Sequence, residues 1–438
     1  MAQQIRALPE VNYLQKKILY TLGFLAIYRV MVHIPIPGVD TQALGEFFKN
    51  QGANLFGMFN MFSGGALSNF SVLALGIMPY ISASIISQLL TVVVPHLEAL
   101  SKEGEAGRKK INQYTRYGTI LLAIVQGWMI SSSLEGQQFA GRSLVLMGGL
   151  WWKVMTTVSL TAGTAFVMWL GEQITEKGVG NGASLIIFSG IVAGFPSIVA
   201  NTYMQFNNAQ IDLMKIVVIC GIIVAVVAFV VYVEQSARQI PVQHAKRQVG
   251  GKVYGGQASH LPMRVNSSGV IPPIFASSLL QFPVTIASFS PGSKLGEFVN
   301  LVFRPGDWLY NVVYVTLIIF FAFFYTSIAF KSDDVAENLK KNGGFIPGIR
   351  PGARTAEFLH KVLSRLTLGG SLYLAAICVL PSIMTGKFGV PFYFGGTSVL
   401  IVVGVALETF RQIDAHRQSL RYEAFLKQGS IRPRGGRA

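Results

Sequence analysis

The sequence is poor in charge and in cysteine. Only 13% of its 438 residues are Asp, Glu, Lys or Arg, about half the share found in soluble globular proteins. The two cysteines, Cys220 and Cys378, lie in separate apolar runs without a CxxC spacing, so we expect small core residues rather than a disulfide or metal ligands. With 51% hydrophobic residues and a mean hydropathy of +0.48, the composition predicts a polytopic membrane protein.

Ionisable side chains are also scarce within the apolar runs. Arg29 lies near the outer end of one run, where it can extend to the membrane surface. Glu172 and Glu408 lie near the ends of two others, and the six histidines lie in predicted loops or at run ends. A transporter coupled to protons or sodium normally needs carboxylates or histidines within its spans, and an intramembrane protease needs a Ser/His or paired-Asp site there. Both classes are therefore less favoured alternatives.

Motifs for nucleotides, cofactors and metals are missing as well. The sequence has no GxxxxGK[ST] loop for phosphates and no cluster with metal-ligand spacing. It also has no spacing typical of a nucleophile and its base. We therefore predict no enzyme, no cofactor and no metal site, but a passive conduit that another protein drives.

Ten apolar runs are present, close in length to the roughly 20 residues that cross a bilayer as a helix. Residues 1–17 are polar and the first run is long enough to span, which argues against a cleavable signal peptide. Ten spans divide into five and five, and an odd number in each half makes structural repeats inverted. We predict an all-α polytopic membrane fold with ten transmembrane helices in two inverted five-helix halves, plus a re-entrant half-helix. The runs cover residues 18–35, 79–94, 115–134, 154–173, 183–199, 214–233, 270–289, 309–330, 369–385 and 394–410.

The positive charges set the orientation of these spans. The net charge is +16, with 36 Lys and Arg against 20 Asp and Glu. Roughly four times as many cations fall on the side of the N-terminus as on the other, which places both termini in the cytoplasm. Positive cytoplasmic loops explain this charge better than a nucleic-acid partner does. The predicted parts are an N-tail at 1–17, a first half at 18–199, a second half at 200–410 and a C-tail at 411–438.

The stretch from residue 62 to residue 94 is apolar but interrupted. Gly64, Gly65 and Pro79 break it, so it reads as a half-helix at about 62–72 followed by a span at 79–94. Broken backbone at membrane depth persists only where protein buries it or a water-filled cavity solvates it. The span at 270–289, second in its half, is also rich in proline and serine, which points to a site at the repeat interface. The chain is therefore expected to surround a pore or cavity.

Two long basic loops face the predicted cytoplasmic side. Residues 234–267 and 331–368 are longer than the topology requires, and the second contains the turn-rich series GGFIPGIRPG at 343–352. Basic loops attract anionic lipids, which is one interpretation. Their length favours the other, a docking surface for a protein or for ribosomal RNA, where phosphate contacts would make the affinity depend on salt.

Six long and unusual motifs are distributed along the chain. They are MFNMFSGGALS (58–68), ALGIMPYISASII (74–86), MWLGEQITEKGVGNG (168–182), HLPMRVNSSGVIPPIFASS (260–278), GFIPGIRPG (344–352) and VPFYFGGTS (390–398). Together they resemble the SecY family, the central channel subunits of bacterial preprotein translocases, and the resemblance covers nearly the whole chain in matching order. It implies a protein-conducting channel that translocates unfolded secretory polypeptides and releases signal sequences and membrane helices laterally into the cytoplasmic (inner) membrane.

The resemblance also implies which residues carry the function. The half-helix would be the plug that closes the resting channel: Phe62, Ser63, Gly64, Gly65, Ala66, Leu67, Ser68, Asn69, Phe70 and Ser71. An apolar pore ring, which can gate by dewetting, would consist of Ile77, Ile81, Ala183, Ile187, Ile274 and Ile401. At Ala183 the family often has a bulkier aliphatic residue. The lateral gate, between spans 79–94 and 270–289, would use the polar side chains of Ser82, Gln126 and Ser278.

Partners follow from the resemblance in the same way. The inner loops and the C-tail would bind the SecA ATPase or the translating ribosome, including its RNA. SecE would clamp the two halves, SecG would be peripheral, and preprotein signal sequences and anionic lipids would also bind. The implied docking residues are Lys246, Arg247, Lys252, Arg350 and Tyr422.

Overall fold

The computed structural model describes residues 9–50, 60, 63–135, 138–139, 142–208, 212–244, 247–249, 252–254, 259–288, 307–388 and 396–429. Ten long helices coincide with the ten apolar runs, as expected where only intrahelical hydrogen bonds can satisfy the backbone in lipid. They are α1 (Pro9–Met31), α3 (Met78–Val93), α5 (Glu105–Glu135), α6 (Leu150–Lys177), α7 (Gly182–Asn207), α8 (Leu213–Gln235), α9 (Ile271–Ser288), α10 (Trp308–Ala329), α12 (Ala353–Phe388) and α13 (Gly396–Gly429).

Shorter elements connect these helices within the described part of the chain. Three are helices: α2 (Thr41–Asn50), α4 (Pro95–Lys102) and α11 (Ser332–Lys341). Seven are strands: β1 (Gln138–Phe139), β2 (Arg142–Ser143), β3 (Ala237–His244), β4 (Arg247–Val249), β5 (Lys252–Tyr254), β6 (Ser259–Arg264) and β7 (Gly344–Phe345).

Membrane-spanning capacity agrees with the predicted class. Among the described residues, seven segments are long and apolar enough to cross a membrane, those of α5, α6, α7, α8, α10, α12 and α13. Helices α3 and α4 meet at an angle of 98° and make an eighth span if they count as one. The protein is therefore a multi-pass membrane protein of the all-α class.

The structure has turns where the sequence predicts a half-helix at 62–72, so this prediction is corrected. Residues 63–77 form a series of hydrogen-bonded turns, with one isolated bridge from Ser71 to Pro35. Gly64 and Gly65 adopt left-handed backbone angles, with φ of 66° and 88°. Such angles interrupt a right-handed helix and are readily available only to glycine. Phe62 lies outside the described residues, and residues 63–71 are called the plug segment below.

The predicted inner loop at 331–368 is also corrected, because most of it is helical. Helix α11 occupies its start, and α12 begins at Ala353, well before the apolar run at 369–385. The first turns of α12 are amphipathic and bury Leu359, Val362 and Leu363. A search for long apolar runs passes over such a helix because polar residues alternate with its buried face.

Two compact units divide the chain, one of residues 1–202 with 405–438 and one of residues 203–404. In the first, α5 packs against α3 and α6, and α6 also packs against α1. One apolar cluster of this unit contains residues from the connections between helices as well as from the helices themselves. The buried members are Ile36, Val39, Ala43, Leu44, Leu67, Phe70, Ala74, Leu75, Ala123, Leu134, Leu144, Val145, Trp152 and Leu160.

In the second unit, the two basic loops share a small sheet. Strand β3 pairs antiparallel with β6, with Val242 opposite Ser259, and with β7, with Gln243 opposite Phe345. One face of this sheet covers the start of α12, in an apolar cluster of Ile240, Met263, Ile346, Leu359, Val362 and Leu363. This assembly of β3, β6, β7 and residues 346–368 is called the sheet module. The two loops therefore fold as one body.

Candidate functional site

The plug segment is fastened at its start by two side chains of α1. The hydroxyl of Tyr28 donates a hydrogen bond to the carbonyl oxygen of Ser63 at 3.0 Å. The guanidinium Nη1 of Arg29 donates to the carbonyl oxygen of Gly64 at 2.9 Å. Tyr28 is buried, and Arg29 is half-buried. The expectation that Arg29 only extends towards the membrane surface was therefore incomplete.

Polar side chains also hold the turns of the plug segment together. The backbone N–H of Ser68 donates to Oδ1 of Asn60 at 2.8 Å, and the hydroxyl of Ser68 donates to the carbonyl oxygen of Gly65 at 2.9 Å. The hydroxyl of Ser63 accepts from the N–H of Leu67 at 3.3 Å. These bonds replace the regular ladder that a helix would have.

The far end of the plug segment is fixed in a different way. The N–H of Ile36 donates to the carbonyl oxygen of Phe70 at 2.9 Å, and the N–H of Val72 donates to that of Ile34 at 3.1 Å. The ring of Phe70 stacks on that of Trp152 with centroids 6.5 Å apart. Phe70 is fully buried, with an unusual φ of 42°. This end is therefore held by backbone hydrogen bonds and by the burial of a large aromatic ring.

Close backbone contact brings the plug segment against α7. A Cβ added at Gly64 would lie 2.7 Å from Cα of Gly190 and 2.8 Å from Nη1 of Arg29. Gly190 lies on α7, about one turn beyond Ile187. Only glycine allows this approach, so the plug segment touches a helix that carries predicted ring residues.

The predicted ring residues are distributed over both units. Ile77 and Ile81 lie one turn apart at the start of α3, where the N–H of Ile81 donates to the carbonyl oxygen of Ile77 at 3.1 Å. Both are buried, as is Ile187 on α7, whereas Ala183 is half-buried. In the other unit, Ile401 is fully buried and Ile274 is half-buried. Their assignment to one ring stays a prediction.

The predicted gate residues are likewise buried or half-buried. Ser82 on α3 is 5% exposed, and Gln126 is half-buried on α5, the helix that packs against α3. Ser278 on α9 is 2% exposed, and its hydroxyl has no hydrogen-bond partner among the described residues. A buried hydroxyl without a partner is uncommon, which makes Ser278 the most distinctive of the three. Their role in a gate stays a prediction.

The tip of the sheet module presents exposed cations. Arg350 is exposed in the turn before α12, and its carbonyl oxygen accepts a hydrogen bond from Thr355 Oγ1 at 3.0 Å. On the first turns of α12, Lys361 and Arg354 flank Glu357 at 3.1 Å and 3.5 Å. The hydrogen bond from Lys361, and then the two positive charges, lower the pKa of the Glu357 carboxyl.

The other predicted docking residues belong to the loop at 234–267 and to the C-tail. Lys246 lies outside the described residues. Arg247 lies on β4, Lys252 on β5 and Tyr422 on α13, but their side chains are outside the described ones.

A glycine-rich connection between α6 and α7 was missed by the sequence reasoning. The N–H of Val179 donates to Thr21 Oγ1 of α1 at 3.0 Å, and the N–H of Gly180 donates to Gln412 Oε1 of α13 at 2.9 Å. The N–H of Gly182 donates to Thr175 Oγ1 of α6 at 2.9 Å. This connection therefore ties three helices to the start of α7. The alternating glycines of GVGNG could have indicated a loop in close contact with its neighbours.

The described residues include no cluster of three or more His, Cys, Asp or Glu side chains that could hold a metal ion. Most ion pairs among the described residues lie within one helix at i,i+3 or i,i+4 spacing, and Arg116 of α5 with Glu172 of α6, at 2.7 Å, joins two helices. The distinctive feature of the described residues is therefore a turn segment that is fastened to α1 by hydrogen bonds and packed against α7.

Comparison with known proteins assigns this arrangement to a family. A model of SecY matches residues 71–410. The chain is 48% identical over 425 residues to protein translocase subunit SecY of Escherichia coli K12, covering 96% of each protein. The chain belongs to the SecY family. The SecY of Vibrio cholerae is 47% identical over 431 residues, covering 97% of this chain and 96% of its own.

Solved structures share the SecY fold at lower identity. One described as a protein conducting channel has a TM-score of 0.65 at 16% identity and covers 93% of both chains. One that concerns the plug domain of SecY has a TM-score of 0.67 at 18% identity, again over 93% of both. Sec61 in a canine ribosome–channel complex has a TM-score of 0.61 at 16% identity. The predicted fold of ten membrane helices is that of the SecY family.

Proposed function

We propose that the chain is the protein-conducting channel of a preprotein translocase in the cytoplasmic (inner) membrane, with both termini in the cytoplasm. The observation that carries the proposal is the 48% identity to protein translocase subunit SecY over 96% of both chains. Unfolded secretory polypeptides would cross through the channel, while signal sequences and membrane helices would leave it sideways into lipid. The chain is passive in this proposal, because it has no motif for ATP.

The pore would be sealed by apolar side chains. Ile77, Ile81 and Ile187 are buried, and Ile187 lies about one helical turn from Gly190, where the plug segment contacts α7. Aliphatic side chains suit this task, because they exclude water from a narrow passage without binding any particular substrate. Ala183, Ile274 and Ile401 would complete the ring.

Ser82, Gln126 and Ser278 would make the polar contacts of the lateral gate. Polar contacts between membrane helices stabilise by only about 0.6 kcal/mol on average. A gate that must open for each signal sequence is served by such weak contacts.

The partners would be those of a bacterial translocase. The SecA ATPase or the ribosome would dock on the exposed cations around Arg350, on Lys246, Arg247 and Lys252, and on the C-tail near Tyr422. A ribosome partner is supported by the likeness to Sec61 in a canine ribosome–channel complex. SecE and SecG would be the companion subunits, and anionic lipids would bind the same cations.

Crosslinking to a stalled secretory chain tests the channel proposal. The two native cysteines are first replaced by Cys220→Ser and Cys378→Ala, and then Ile81→Cys or Ile187→Cys is introduced. Both positions should form adducts with the stalled chain. Val158→Cys is the matched control, because Val158 on α6 is 63% exposed and should form none. An assembled complex without adducts at either test position would contradict a channel.

A charge reversal tests the docking proposal separately. Arg350→Glu should slow motor-driven export at least tenfold, while the channel itself still inserts and assembles. Lys102→Glu is the control, because Lys102 is an exposed cation on α4 paired with Glu98. Equal export rates for the Arg350 variant and the original chain would refute its role.

A further inference from the structure

We propose that Tyr28 and Arg29 form a latch that holds the plug segment closed and sets the threshold for its release. Two consecutive side chains of α1 donate to two consecutive carbonyl oxygens, those of Ser63 and Gly64, at 3.0 Å and 2.9 Å. The inference rests on the proposed channel function, and it assigns a positioning role to residues of α1.

Arg29 is placed for this role rather than for an ion pair. No carboxylate lies within 4.0 Å of its side chain among the described residues. Ionisable residues within membrane spans are rare and usually functional. A guanidinium that donates to a backbone carbonyl makes a charge-assisted hydrogen bond, roughly twice as strong as a neutral one. Among the described residues, the side chain of Arg29 donates its hydrogen bond to the plug segment, at the carbonyl oxygen of Gly64.

Gly64 makes the latch possible. A Cβ at this position would lie 2.8 Å from Nη1 of Arg29 and 2.7 Å from Cα of Gly190. The absence of a side chain therefore admits the guanidinium on one side and α7 on the other. When the start of the plug segment moves, both contacts are lost together.

The latch is reversible because water can replace it. Once the start of the plug segment leaves its place, the two carbonyl oxygens and the guanidinium can be hydrated in the opened channel, so release costs far less than breaking the two bonds without water would. The far end does not depend on the latch, because Phe70 is held by backbone hydrogen bonds and by Trp152. Release would therefore swing the start of the segment about a fixed end near Phe70.

Single-channel conductance in planar bilayers tests the latch, with the assembled translocase complex and no preprotein. Arg29→Met keeps the apolar stem and removes the donors, so the open probability should rise about 10- to 100-fold. Tyr28→Phe removes one oxygen, and its open probability should rise about fivefold. Arg29→Lys, with one charged donor group, should fall between Arg29→Met and the original chain.

Two controls on α1 accompany these variants. Tyr20→Phe removes the hydroxyl of a residue that is 53% exposed. Lys17→Met removes a cation that lies over the ring of Tyr13. Among the described residues, the recorded contacts of these side chains are with Phe24 and Tyr13 rather than with the plug segment, so both controls should keep the original open probability. If Arg29→Met fails to assemble, Tyr28→Phe decides.

Deletion of residues 63–71 separates the latch from the channel proposal. The deletion should raise the open probability, and adding Arg29→Met to it should produce no further rise. If the deletion is leaky but the latch variants are not, the latch is refuted and the plug stands. If Arg29→Met still raises the conductance in the deleted channel, the latch is refuted as well. A deletion without effect overturns the plug assignment and the latch together.

Discussion

The plug segment and the sheet module are both connections between long helices, but they are held in different ways. The sheet module has a strand ladder and an apolar cluster of its own around Leu359. The plug segment has turns, with two side-chain hydrogen bonds at its start and a stacked ring at its end. A ladder with a core unfolds cooperatively, which suits a docking surface. Separate contacts can be released one after another, which suits a moving part.

The largest expected effect is on the sheet module. Leu359→Ala should destabilise it by about 2–5 kcal/mol, because a fully buried leucine leaves a cavity. Leu359 has no exposed surface and belongs to the cluster that joins β3 to α12. Hydrogen exchange of the β3 amides should accelerate accordingly.

Leu368→Ala is the matched control for that change. Leu368 lies on the same helix but is 49% exposed, so its replacement should change stability by no more than about 0.5 kcal/mol. If both variants exchanged equally fast, the module would have no core of its own and the comparison with the plug segment would fail.

Gly64→Ala should have the next largest effect, and it acts on the plug segment. The left-handed φ of 66° costs on the order of 1–3 kcal/mol for a residue with a Cβ. The new methyl group would also meet the backbone of Gly190 at 2.7 Å. The start of the plug segment should therefore shift, and the leak of the resting channel should rise.

Gly65→Ala separates the strain from the collision. Gly65 also has a left-handed φ, of 88°, but beyond its chain neighbours the nearest atom to a Cβ there would be Ser68 Oγ, at 3.9 Å. Its leak should be smaller than that of Gly64→Ala in the same bilayer measurement. Equal leaks would mean that contact with α7 contributes nothing.

The spans could be predicted from the sequence because apolar length alone decides them. The start of α12 could not, since Leu359, Val362 and Leu363 are buried at helical spacing among polar residues. In β3, the alternation of buried Ile240 and Val242 is a strand pattern that a closer reading could have used. The pairing of β3 with β7 has no local signal, because it joins two distant loops.

The candidate site was less accessible to sequence reasoning. Gly64 and Gly65 indicated a break, but the series of turns depends on hydrogen bonds from distant residues. Tyr28 and Arg29 bind backbone carbonyls, and a carbonyl is the same for every residue type, so no motif reveals these partners. An arginine near the end of an apolar run was the available signal, and its apolar surroundings suggested only extension to the surface.

Phe70→Leu should have a smaller effect, at the far end of the plug segment. The change keeps an apolar side chain but removes the stacked ring, a loss of about 0.5–1.5 kcal/mol beyond the buried area. A cysteine at position 68, in a chain without Cys220 and Cys378, should react somewhat faster with a thiol reagent. Phe166→Leu is the control, because it removes a ring contact with Trp169 away from the plug segment. Faster reaction in both variants would contradict a local effect.

The smallest expected effect is that of Glu357→Gln on the sheet module. The partners of Glu357, Lys361 and Arg354, are exposed, and exposed pairs contribute little. Because the pKa of Glu357 is lowered from 4.5 in the folded protein, its contribution is present above that pH and is lost as the pH falls below it. The difference between variant and original chain in β3 hydrogen exchange should therefore be small at pH 7, disappear once the pH falls below the lowered pKa of Glu357, and disappear at 1 M salt. Glu337→Gln breaks a similar exposed pair with Lys341 on α11. Its difference from the original chain in β3 hydrogen exchange should be equally small. A difference as large as that of Leu359→Ala would mean that charge rather than burial holds the sheet module, and its contrast with the plug segment would disappear.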